Sequence, residues 1–162
     1  MTSPTEDYLK QPCEYLVLEG YRSWSKGIIK GDISCLNDTW NMFAVQLGSK
    51  SGRLALDALS SFIKTLGLCA ACPLQRSPSG CDFICRHEVL ILGLLAGIQH
   101  DDETAVMICL NELSCTNRCV EVLTSAEILA VTLRSLEKTL RPIPTQTIRA
   151  ILTDGVSTQT LQ

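Results

Sequence analysis

The sequence predicts an all-α fold, an irregular antiparallel bundle of about five to six helices with a cysteine-rich loop. Three observations predict it. Apolar residues recur at steps of three and four through most of the chain. Glycine and proline gather at the breaks between those runs. No segment alternates apolar and polar residues as a half-buried strand does.

Residues 1–12 are polar, carry Pro4 and Pro12, and are expected to form a flexible tail. Residues 13–30 hold the apolar run Tyr15–Leu18, then Gly20 and Gly27, and are expected to form a short helix. From Asp32 the signal strengthens. Ile33, Leu36, Trp40, Phe43 and Leu47 make one helical stripe, with Asp32 placed as N-cap and Gly48 as stop. Leu56, Leu59, Phe62, Ile63 and Leu66 make a second, ended by Gly67. A turn of four or five residues is expected between them, which gives an antiparallel hairpin.

Pro73, Ser77, Pro78, Ser79 and Gly80 predict a loop. Asp82 is the expected cap of a helix reaching Gln99. That helix is apolar nearly all round, from Val89 to Ile98, as a central helix is. His100-Asp101 breaks it, and another helix runs from Asp102 to Leu113. Thr124 and Glu127 have capping-box spacing, so a helix is expected to start there and present Leu129, Leu133, Leu136 and Leu140 before Pro142. Pro144 opens a last helix through Ile148, Ile151 and Leu152, ending near Gly155. Residues 13–155 thus read as one helical domain, with 156–162 a frayed end.

Composition sets outer bounds. The chain has 162 residues, 46% hydrophobic and 19% charged, which suits a packed core and not a disordered chain. A net charge of −3 implies no broad basic face, so no nucleic-acid partner is expected. The apolar run Val89–Ile98 falls short of the roughly 20 residues that a membrane span needs. The first residues show no basic stretch followed by an apolar run, so no secretory leader is expected. Nine cysteines in such a chain point to reduced thiols and a cytoplasmic setting.

Four of those cysteines stand together as Cys69-Ala-Ala-Cys72, eight residues, then Cys81-Asp-Phe-Ile-Cys85. Close thiol pairs separated by turn formers suit a closed tetrahedral zinc site, with each sulfur at about 2.3 Å. On a helix, Cys81 and Cys85 would project to one side. His87 is a substitute ligand, and an iron–sulfur cluster takes the same donors. The competing reading is packing, because free cysteine is a small, commonly buried hydrophobe, and Cys13, Cys35, Cys109, Cys115 and Cys119 are spread along the chain. A third reading makes Cys69 and Cys72 a redox pair, although no strand precedes them and Pro73 follows.

Two further groups have plain structural accounts. His100-Asp101-Asp102-Glu103 suits capping of the next helix better than cation binding. Tyr21-Arg22-Ser23-Trp24-Ser25-Lys26 reads as a half-buried helix anchored by Trp24, or as a partner-binding edge. No nucleophile elbow, Walker loop or dinucleotide fingerprint occurs. The expected function is a small helical interaction or regulatory module, not an enzyme, which binds a protein partner or a second copy of itself. A structural metal would staple its loop at Cys69, Cys72, Cys81 and Cys85. The alternative is a thiol-redox or iron–sulfur protein using Cys69 and Cys72.

Overall fold

The structure, a computed structural model, describes residues 10–70 and 74–160. Among the described residues the fold is all-α, with no strand. In chain order the helices are α1 (Pro12–Lys30), α2 (Ile33–Leu47), α3 (Ser49–Cys69), α4 (Arg86–Gln99), α5 (Glu103–Leu113), α6 (Cys119–Ser135) and α7 (Thr145–Thr160). No helix among them is long and apolar enough to cross a membrane.

The weakest helical signal belongs to one of the longer helices. α1 has 19 residues, begins with Pro12 in its first turn, and ends at Gly31 in the left-handed region at φ 63°. Its buried face mixes Leu16, Val17 and Leu18 with Glu14, Glu19 and Arg22. Buried charges break the apolar stripe, which is why the periodicity is faint.

α2 starts where its cap predicts. The Asp32 carboxylate accepts from the backbone N–H of Ser34 at 3.0 Å and of Cys35 at 3.4 Å. The expected turn of four or five residues is in fact the single residue Gly48, at φ 87°. Gly52 permits this sharp return, because a Cβ there would lie 2.8 Å from the Phe43 carbonyl oxygen. α2 also runs back along α1, with Leu36 against Gly27 and Phe43 against Gly20. α1 and α3 therefore point the same way on either side of it.

α4 is the centre of the bundle and packs on α1, α5, α6 and α7. Val89, Leu90, Ile91, Leu92, Leu94 and Leu95 are each at most 1% exposed. This matches a helix apolar on every side. It starts three residues later than Asp82 predicts, with Cys85 as N-cap. The Glu88 backbone N–H donates to the Cys85 sulfur, and the Glu88 carboxylate accepts from the Cys85 N–H at 3.0 Å. Residues 81–85 are therefore not helical.

The Thr124 start is also corrected. α6 begins at Cys119, and the Thr124 hydroxyl donates to the Val120 carbonyl inside the helix. It ends at Ser135, before the expected Leu140. The Gln99 side chain holds the segment that follows, donating to the carbonyls of Ala130 and Lys138 and accepting from the Leu140 N–H at 2.7 Å. Leu140 is still buried, but from an extended strap. α7 opens after Pro144, as predicted, and continues past Gly155 to Thr160.

Candidate functional site

The described thiols of the cysteine loop have separate surroundings. Cys69 closes α3 and is buried, and its thiol donates to Glu121 Oε2 at 3.4 Å. Cys81 is half-buried, and its sulfur accepts from the Phe83 N–H at 3.4 Å. Cys85 caps α4. His87 Nδ1 accepts from the Gln75 N–H at 2.7 Å. Among the described residues no three His, Cys, Asp or Glu side chains form a group that could hold a metal ion. Cys72 lies outside the described residues.

Burial pushes the Cys69 and Cys85 thiols up, away from the reactive thiolate form. For Cys85 burial comes first and the Glu88 charge second, and the thiol rises to about 11. For Cys69 burial and the hydrogen bond to Glu121 both act upward, although Arg118 opposes them. Cys13 and Cys109 are each raised to about 12, chiefly by burial.

What fastens the loop is a buried arginine. Arg22 Nε donates to Glu88 Oε2 at 2.6 Å, and a terminal nitrogen donates to Glu88 Oε1 at 3.1 Å. The other contacts reach Glu19 Oε1 at 3.2 Å, the Cys81 carbonyl at 2.9 Å and the Phe83 carbonyl at 2.8 Å. All five guanidinium N–H groups thus meet an acceptor. Glu19 also accepts from the Ser79 hydroxyl at 2.7 Å and the Gly80 N–H at 2.8 Å. Ser77 N–H reaches Glu88, and the Tyr21 hydroxyl donates to the Gln75 carbonyl at 3.1 Å. α1, the loop and α4 are joined through one charged centre. Burial opposes the Arg22 charge, but the carboxylates of Glu88 and Glu19 outweigh it and hold the guanidinium protonated.

The basic and aromatic patch of α1 therefore faces inward at Tyr21 and Arg22. Trp24 is half-buried and donates to the Ser60 hydroxyl at 3.0 Å, an anchor as predicted. Asp102 caps α5 by accepting from the Ala105 N–H at 3.2 Å, as the acidic group beside His100 predicts.

Beside the clasp lies a groove of about 890 Å³ between the C-terminal halves of α1 and α3. Its α1 wall is Tyr21, Ser25, Ile28 and Ile29. Its α3 wall runs from Ile63 to Leu68, and Leu74 and Arg76 of the loop complete it. The volume falls in the range of about 300–1,000 Å³ typical of small-molecule sites. Ile29 and Leu68 are 65% and 73% exposed at its edges. Gly67 lines the opening, and a Cβ there would meet nothing within 4 Å. No close approach requires that glycine, and it weakens the helix by roughly 0.5–1 kcal/mol relative to alanine.

Ser25, a lining residue 5% exposed, has a hydroxyl with no hydrogen-bond partner among the described residues. An unmatched buried hydroxyl costs about 1–3 kcal/mol. The groove went unseen in the sequence because its walls come from three separated segments of ordinary core residue types. Gly67, read from the sequence as the end of the second stripe, lies inside α3, which continues to Cys69. Comparison with known protein families, curated proteins and solved structures found no match for this chain. The functional reading therefore rests on its own geometry.

Proposed function

We propose that this protein is a small, non-catalytic helical interaction or regulatory module that binds its ligand in the groove between α1 and α3. The observation that carries the reading is a largely apolar groove of about 890 Å³ between α1 and α3. The thiol chemistry agrees with a non-enzymatic role, because burial holds Cys69 and Cys85 in the protonated form. That weakens the alternative of a redox pair at Cys69 and Cys72. Described cysteines that are free thiols suit a reducing, cytoplasmic setting. Fastening of the loop by Arg22, Glu19 and Glu88 supports a module that holds its shape without zinc at Cys69, Cys72, Cys81 and Cys85.

Titration with Nile red, an uncharged apolar dye, tests the reading. The expected result is one saturable site per chain, weakened about tenfold or more in Gly67→Leu. Far-ultraviolet circular dichroism of that variant should match the wild type. Absence of saturable binding, or equal binding by the variant, would remove the groove as the binding place.

A further inference from the structure

The lining of the groove is specific about charge. Among the described residues it contains two cations, Lys64 and Arg76, and no carboxylate, in a chain whose net charge is −3. Neither cation has a salt bridge among the described residues, whereas Arg22, Arg86 and Arg118 each do. Arg76 lies close enough to Tyr21 for its charge to act on the phenol. Because α1 and α3 run in the same direction, Tyr21, Ser25 and Lys64 come earlier along the groove than Ile28, Ile29 and Leu68. The groove is thus polar and positive toward one end, apolar and open toward the other.

We propose that this groove takes a single-chain fatty acid, with its carboxylate beside Arg76 and Lys64 and its alkyl chain along Ile28, Leu66 and Leu68. The inference rests on the groove being the binding place. Each feature has a role in it. A carboxylate matches the two cations. An alkyl chain covers the aliphatic walls and the space that Gly67 leaves. A cationic amphiphile of equal length gains the same apolar burial but is repelled at the head.

Isothermal titration of the full chain with laurate below its micelle concentration, and with dodecyltrimethylammonium, tests this. Laurate is expected to saturate at one per chain and to bind about tenfold or more tightly than the cationic amphiphile. The paired substitutions Lys64→Gln and Arg76→Gln should weaken laurate about tenfold or more and leave Nile red binding unchanged. Equal binding of the two amphiphiles, or no effect of the paired substitutions, would overturn the inference. So would attachment to phosphatidylglycerol vesicles, or saturation by an acidic amphipathic peptide, without binding of monomeric laurate. If Nile red saturates and laurate does not, the fatty-acid assignment fails and the groove reading stands. If neither binds, both fail.

Discussion

His87 shows how one ring nitrogen can tie the loop to pH. Its Nδ1 accepts from the Gln75 N–H, so that nitrogen must be unprotonated for the bond to exist. Burial, followed by the neighbouring Arg86 charge, lowers its pKa from the ordinary 6.5. The unfolded chain therefore takes up the proton first as pH falls. Stability from neutral His87 is complete above about pH 6.5 and declines as pH drops from there to the lowered folded value. His87→Asn keeps an acceptor near the Nδ1 position and removes the titration. Urea unfolding at about pH 7.5 and about pH 5.5 should show a larger loss for wild type than for His87→Asn, since the other carboxylates and His100 are common to both. Equal losses would mean that the ring does not hold the loop.

At the scale of elements, two glycines of α3 should respond in opposite directions to the same change. Gly52 sits where a Cβ would press on the Phe43 backbone, and backbone yields less readily than a flexible side-chain tip. Gly67 faces open space. Gly67→Ala should therefore raise the melting temperature by about 2–4 °C, the shift that about 1 kcal/mol gives a chain of this size. Gly52→Ala should lower it despite the better helix propensity of alanine. Calorimetry on both variants checks the pair, and equal signs would contradict the packing at Gly48.

The same contrast explains which parts of the fold were legible. Apolar stripes, such as Ile33–Leu36–Trp40–Phe43–Leu47 and Leu56–Leu59–Phe62–Leu66, announced their helices, although Ile33 at the start of the first is 70% exposed. Starts and stops depended on remote groups. The Phe83 carbonyl, which a helix capped by Asp82 would have used, belongs to Arg22, a residue about sixty positions earlier. The Gln99 amide likewise holds the strap through Leu140 that α6 was expected to occupy. The cysteine spacing was visible, but the charged centre beside it was not. No local pattern distinguishes Arg22, Glu19 and Glu88 from solvated charges on a helix.

For the whole molecule, two kinds of staple lead to different stabilities. A closed thiolate zinc site contributes apparent binding energy of about 10–16 kcal/mol, as large as the folding free energy of a typical domain, about 5–15 kcal/mol. If Cys69, Cys72, Cys81 and Cys85 held such an ion, a chelator would unfold the chain. The described packing has a closed core around α4 and a clasp with every Arg22 donor matched. Removing one member of a buried charged set costs about 3–5 kcal/mol, because its partners stay behind unmatched. Protein purified and held in excess chelator should therefore keep its helical circular dichroism and its urea midpoint. Arg22→Met should lose about 3–5 kcal/mol whether zinc is present or not. Loss of helicity on chelation, restored by one equivalent of zinc, would reverse that order and make the four thiols the staple that shapes the loop.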